Sequence, residues 1–398
     1  MIRAGADARP LLTTSRAGAG PAFLAGFQGD RRATGVHRPL EVRTLAVAVD
    51  GGRPLVLAVA DLIGLVREDT LAIRAAVAEL EADVVVAATH THSGPDTIGL
   101  WGPDEMTRGV DDGFLEVVRG TVASGIRSAV ESLEPATIRA GAGDVHGVIR
   151  NTRDPEIVDR QVGVVAFDRP DGAPIATLVN VGVHPEVLDG DSTLVSPDLA
   201  GACRDEIDSG RGGVTVWASG DLGGMQSPEE GPRTPDEVGR KGALIADAAL
   251  RALSGAAAAP GRVRVATREV TLPLWNPRFR AGLEAGLLRG HMGSDGGLVT
   301  DVAIVDLGVA RAACWPGEVL PRLGLTSKGR LGSDVPLLIG LANDELGYIL
   351  PDEDFVAPDD WGDPDPHYEE SMSVGPETGS RLLAAIDGLL DRWNDASV

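Results

Sequence analysis

Cysteine is nearly absent: Cys203 and Cys314 are the only two in 398 residues, and they lie far apart. That excludes a disulfide framework and a paired-cysteine metal clip. Lysine is as scarce, with Lys241 and Lys328 alone, so arginine carries nearly all the positive charge. Aromatic residues make up 4% of the chain, which leaves packing to Val, Leu, Ile and Ala. No run of about 18 apolar residues occurs, as a membrane-spanning helix would need. The opening MIRAGADARPLLTT lacks the apolar stretch of a signal peptide. Positive charge is in deficit, with 36 basic against 59 acidic residues and a net charge of −23. Such a surface disfavours nucleic acid and anionic membranes. At 43% apolar and 24% charged the composition is that of an ordinary globular protein, and the expectation is a cytoplasmic one.

What is present centres on residues 84–95, VVVAATHTHSGP. The small, partly β-branched run Val84–Ala88 suits a buried strand. It runs into Thr89-His90-Thr91-His92-Ser93, and Gly94-Pro95 then turns the chain away. Residues i and i+2 of a strand share a face, so His90 and His92 are expected to project together from the strand end. Two imidazoles so placed can both bind a metal, or one can bind it while the other moves protons.

Elsewhere, Leu45–Val49 and Leu55–Ala60 flank Asp50-Gly51-Gly52 and read as a hairpin. Helices are expected over Glu68–Leu80, Phe114–Leu133, Leu199–Ile207, Pro235–Leu253 and Glu377–Trp393. Strands are expected over Ile138–Gly143, Val162–Phe167, Ile175–Val183, Val214–Ala218, Val263–Leu274, Asp301–Leu307, Ala310–Trp315 and Val335–Leu341. No internal repeat is visible, and the fold class is α/β: mixed β-sheets covered by helices, in a single domain over 1–398. Three further polar groups follow apolar strands: His184-Pro185, Trp315-Pro316-Gly317-Glu318, and Asn343-Asp344-Glu345 with Gly347-Tyr348. Groups at the C-terminal ends of strands converge on a common cleft in α/β proteins. Two imidazoles, a carboxylate and an open position make a catalytic zinc site by ligand type.

The chain resembles the catalytic domain of the neutral ceramidase family of zinc-dependent amidases. The resemblance rests on Ala88–Pro95, Val183-His184-Pro185, Ser196-Pro197-Asp198, Pro316-Gly317-Glu318 and Asn343-Asp344 with Gly347-Tyr348, in order, from near residue 3 to about 376. It implies one zinc ion per chain held by His90, His184, Glu318 and Tyr348. It further implies His92 facing the scissile carbonyl and Tyr368 steadying the oxyanion. The expected chemistry is hydrolysis of an amide, ester or lactone of a small soluble molecule by metal-activated water.

The departures are specific. Gly223 stands at the family's serine position, in Ser219-Gly220-Asp221-Leu222-Gly223-Gly224-Met225-Gln226-Ser227-Pro228. Either Ser227 is that serine, displaced by four residues, or none is used; attack by metal-activated water with Asp221 lining the site is favoured. The family's Asn-Arg pair is altered, since Thr152 follows Asn151, and Arg153 or Arg150 supplies the charge. The loop between Tyr348 and Tyr368 is longer and more acidic than the family's. The family's C-terminal sandwich domain is not expected. The alternatives are a metal-binding protein that has lost turnover, and a true N-acylsphingosine amidohydrolase using Ser227. The expected partner is a small-molecule substrate, with no nucleic acid and no stable membrane association; a homo-oligomer is compatible with the sequence.

Overall fold

The computed structural model describes residues 1–11, 22–362 and 366–395. Three mixed sheets dominate it. The first holds β1 (Ile2–Leu11), β2 (Leu40–Val49), β3 (Leu55–Ala60) and β4 (Asp83–Ala88). β1 runs antiparallel to β2 along its whole length, β2 antiparallel to β3, and β3 parallel to β4. The second holds β5 (Thr137–Asp144), β6 (Gln161–Asp168), β7 (Pro174–Val181) and β8 (Val214–Ser219). The third holds β9 (Arg264–Leu272), β10 (Leu298–Asp306), β11 (Arg311–Cys314) and β12 (Pro336–Ile339). Both repeat the pattern of the first: two antiparallel pairings, then one parallel pairing at the end.

The connections repeat as well. A parallel pair needs a crossover, and each crossover is a helix. These are α1 (Arg67–Ala76), α3 (Asp198–Arg211) and α6 (Pro321–Arg330). After each last strand comes a long helix: α2 (Asp112–Glu131), α4 (Pro235–Leu253) and α8 (Thr378–Asp395). The short helices α5 (Pro277–Glu284) and α7 (Tyr368–Ser371) fall inside the third unit. The chain is therefore three β-β-β-α-β-α units, a repeat that leaves no trace in the sequence because only the topology is shared. The initial strand β1 was also not legible, since Arg3, Asp7 and Arg9 break its apolar pattern.

Each sheet turns one face to a shared core and the other to its helices. The shared core takes Val47, Leu57 and Val85 from the first sheet, Val165, Phe167 and Leu178 from the second, and Val305, Leu337 and Ile339 from the third. Outward, Val56 and Ala58 meet Val118 and Val122 of α2; Val164 and Val179 meet Ile207 and Ile245; Ile304 and Leu338 meet Ile386 and Leu389. Burial on both faces explains why the strands read as near-continuous apolar runs rather than alternating ones.

Polar side chains bind the sheets to one another near the ends of their parallel pairs. Asn180 donates to Leu338 O at 2.7 Å, Asn343 Oδ1 accepts from Val86 N at 3.1 Å, and Ser219 Oγ donates to Thr89 O at 2.7 Å. Asp61, just beyond β3, takes a two-pronged bond from Arg204 of α3 at 2.8 and 2.7 Å and one from Glu41 N at 2.8 Å. Both side chains of that ion pair are fully buried. No helix is long and apolar enough to cross a membrane among the described residues.

Removing one partner of a buried, fully bonded ion pair strands the other charge, at a cost of about 3–5 kcal/mol. Asp61→Ala is therefore expected to lower the unfolding free energy by about that amount, measured by denaturant titration. A loss below about 1 kcal/mol would show that Arg204 finds another partner.

Candidate metal centre

The C-terminal ends of the parallel pairs supply the candidate residues. β4 ends at Ala88, and His90 adopts a φ of 65°, the left-handed region. The pleat alternation expected from the sequence is thus not what aligns His90 and His92. The kink does it, and brings their ring centroids to 5.0 Å. A non-glycine residue in this region costs energy and persists only where its surroundings enforce it. Here the enforcing bonds are His90 N to Leu62 O and His90 Nδ1 to Ile63 O, at 2.9 and 2.7 Å.

His184 follows β7 and Glu318 follows β11. His184 Nδ1 lies 3.1 Å from Gln226 O. A carbonyl only accepts, so the Nδ1 atoms of His90 and His184 both carry hydrogens. On a neutral ring each Nε2 is then a lone pair, and both face one oxygen: Glu318 Oε2 lies 3.4 Å from His90 Nε2 and 3.1 Å from His184 Nε2. Three electron-rich atoms converging in a buried site require protons or a cation between them. Backbone carbonyls that fix the imidazole tautomer are the usual outer support of metal-binding histidines.

Charge points the same way. Burial opposes ionisation of Glu318, yet the two imidazoles hold its carboxyl well below the usual range. Glu345, also buried, is pushed far up by burial and by the Glu318 charge, and its Oε2 has no partner. Tyr348 stands opposite Glu318 in the two-residue parallel pairing of Glu318–Val319 with Tyr348–Ile349. Burial, then Glu318, raise its phenol well above the ordinary value, and its hydroxyl rests 3.3 Å from Met225 Sδ. Tyr368 lies on α7, 48% exposed, with its ring 5.9 Å from that of Tyr348, and the nearby Glu318 charge favours its protonated hydroxyl.

His92 joins the cluster more closely than a role outside the ligand set suggests. Ligand atoms of His90, His92 and His184 all lie within 4.8 Å of one another. Burial lowers His92 to about 4, and its Nε2 has no hydrogen-bond partner. The ring is held on edge against Phe27, with centroids 4.9 Å apart. Gly26, at φ 105°, lies so close that a Cβ would sit 2.3 Å from the His92 ring. Arg31 donates to the His92 carbonyl. These loop residues carried no sequence signal beyond a glycine- and arginine-rich stretch.

Two expected site residues sit elsewhere. Asp221 faces Lys328 Nζ at 3.3 Å, and Lys328 also contacts Asp159. Burial raises Asp221 to about 7 and lowers Lys328 to about 7. Lys328 lies in α6. Arg153 binds Glu369 at 2.7 Å, Glu370 at 2.8 Å and Asp354 O at 2.9 Å, and so ties down the helix that carries Tyr368. Arg150 turns to Pro228 O and Glu230.

Sequence reasoning missed Glu186, two residues after His184 in His-Pro-Glu, although that spacing was a usable signal. Its Oε2 lies 3.1 Å from His92 Nδ1, and Oε1 accepts from Ser227 Oγ at 2.5 Å. Gly223 has no room for a side chain: a Cβ would stand 2.5 Å from Glu318 O and 2.9 Å from Val319 O. Gly223→Ser is therefore expected to displace the Glu318 turn, costing about 1–3 kcal/mol of stability by denaturant titration. An unchanged midpoint would mean that the turn has slack.

No protein-family model matches the chain. A stretch of 141 residues is 30% identical to the neutral ceramidase of Pseudomonas aeruginosa, covering 30% of this chain and 20% of that protein. The crystal structure of neutral ceramidase from Pseudomonas aeruginosa superposes with a TM-score of 0.72 at 18% identity, over 97% of this chain and 73% of that one. A structure described as ceramidase complexed with C2 gives 0.73 at 17% identity, over 98% and 75%. The chain has the neutral ceramidase fold.

Proposed function

We propose that this protein is a zinc-dependent hydrolase that cleaves the C–N bond of an amide in a small substrate, with His90, His184, Glu318 and Tyr348 as the metal ligands. The observation that carries the reading is the convergence of His90 Nε2 and His184 Nε2 on Glu318 Oε2 at 3.4 and 3.1 Å, with both Nδ1 atoms committed to carbonyls. Those donors suit zinc by type. The same fold in the neutral ceramidases supports amide cleavage over other hydrolytic chemistry. A bound zinc ion would supply Lewis acidity toward the carbonyl and lower the pKa of water toward about 7.

The chain's own groups would do the rest. His92, neutral because burial lowers it to about 4, presents a free Nε2 that can take a proton from the attacking water and pass it to the leaving nitrogen. Tyr368 keeps its proton at neutral pH and can donate it in a hydrogen bond to the developing oxyanion. Arg153 acts at a distance by fixing α7 through Glu369 and Glu370. The acidic balance of the chain favours a substrate that is not anionic.

Elemental analysis of wild type beside His90→Ala and Glu318→Ala tests the site. One zinc per chain is expected in the wild type and none in either variant. Zinc that survives both substitutions, or a wild type free of metal after gentle purification, would overturn the assignment. Tyr368→Phe is expected to keep its zinc and lose about 10²–10³ in kcat on a short N-acyl amide. An unchanged kcat would remove Tyr368 from the oxyanion site.

A further inference from the structure

We propose that Glu186, with Ser227 as its hydrogen-bond donor, is the positioning group that holds His92 with Nδ1 protonated and Nε2 open to the site, so that Ser227 serves the carboxylate and is not the nucleophile. The kinetic part of this rests on the hydrolase reading above; the part about the His92 ring does not.

Glu186 is buried, and both of its oxygens face groups able to donate: Oε1 the Ser227 hydroxyl and Oε2 the His92 ring. A carboxylate only accepts. The 2.5 Å contact at Oε1 must therefore use the Ser227 hydroxyl proton, and a hydrogen bond at Oε2 must come from an N–H on His92 Nδ1. The His92 contact stands at 3.1 Å but falls short of hydrogen-bond alignment. Long or misaligned catalytic contacts of this kind tighten when substrate binds. With Nδ1 protonated toward Glu186, the remaining lone pair is on Nε2, which among the described residues has neither a hydrogen-bond partner nor a carboxylate facing it. The arrangement is that of a carboxylate orienting an imidazole that handles protons at its other nitrogen.

The rest of the fold holds Glu186 for that task. Asp198, at φ 49°, accepts from Val187 N, Leu188 N and Leu199 N and so clamps the turn on which Glu186 sits. Glu186 N bonds back to His184 O at 3.0 Å, and Pro185 O accepts from His92 N at 3.4 Å. On the other side, Gln226 donates to Gly182 O and Asp221 O and accepts from Asp159 N, which pins the loop ahead of Ser227. The four extra residues that displace Ser227 from Gly223 thus deliver a hydroxyl to a carboxylate.

The test uses the full chain, loaded with zinc and labelled with ¹⁵N-histidine. Wild type, Glu186→Gln, Glu186→Asp and Ser227→Ala are compared by long-range ¹H–¹⁵N spectra, with the His92 ring assigned through His92→Gln. Wild type is expected to show His92 in the Nδ1–H form. Glu186→Gln can turn an amide N–H toward Nδ1, so it should move the ring toward the Nε2–H form with zinc content unchanged. On an N-acyl amide it should lower kcat about a hundredfold with KM within about threefold, and Glu186→Asp should recover part of that loss. Ser227→Ala should lower kcat only about tenfold, as loss of a supporting hydrogen bond does. An Nε2–H ring in wild type, or a Glu186→Gln protein with unaltered ring and kcat, would overturn the proposal. So would a Ser227→Ala protein as inactive as a nucleophile knockout, together with an acyl group trapped on Ser227 in the wild type. If no variant and no wild type turns over any amide, the hydrolase reading fails while the ring spectra still decide the role of Glu186.

Discussion

Two imidazole nitrogens and one carboxylate oxygen converge in a buried site, with His184 Nε2 and His90 Nε2 standing 3.1 and 3.4 Å from Glu318 Oε2. That meeting point is the constraint around which the rest of the structure is arranged. Ile63 O and Gln226 O fix the two rings, and the Glu318 backbone is locked against Gly347 and Gly223. Protein dipoles and packing thus fix these groups in advance, as the proposed metal site would require.

That convergence depends on the shared core. Three sheets each turn an apolar face inward, and each ends in one parallel pair with a helical crossover. Packing three such units about common residues such as Val47, Phe167 and Val305 brings the C-terminal ends of the parallel pairs together. His90 comes from the first unit, His184 from the second and Glu318 from the third, so no unit holds the site alone. The bonds from Asn180, Ser219 and Asn343 between sheets lie at that same end. They link the geometry of those three groups to the packing of the whole chain.

Around the site, buried charges form three groups. Glu318, Glu186, Glu345 and the three histidines face the site. Asp221, Asp159 and Lys328 form a separate knot behind the glycine-rich loop, and Arg153 with Glu369 and Glu370 another at its rim. The knots anchor the loop that carries Ser227 and the helix that carries Tyr368. Charge placed to support a neighbour looks, in sequence, the same as charge placed to react.

Much was legible without coordinates. The apolar runs gave the inner strands because those are buried on both faces, and the Asp50-Gly51-Gly52 turn marked a hairpin. The strand-end histidines and the His-Pro and Pro-Gly-Glu turns stood out because polar groups directly after buried strands have little structural reason to be there. Three things needed the tertiary structure. The repeat of three units lies in pairing order, which side chains do not encode. The alignment of His90 with His92 comes from a left-handed kink enforced by Leu62 and Ile63, residues distant in the chain. The partners of Asp221, Arg153 and Glu186 were chosen by long-range packing, which set Lys328 against Asp221, Glu369 and Glu370 against Arg153, and His92 with Ser227 against Glu186. Local sequence determines which groups can ionise or accept a hydrogen bond; only the packed chain decides which of them meet.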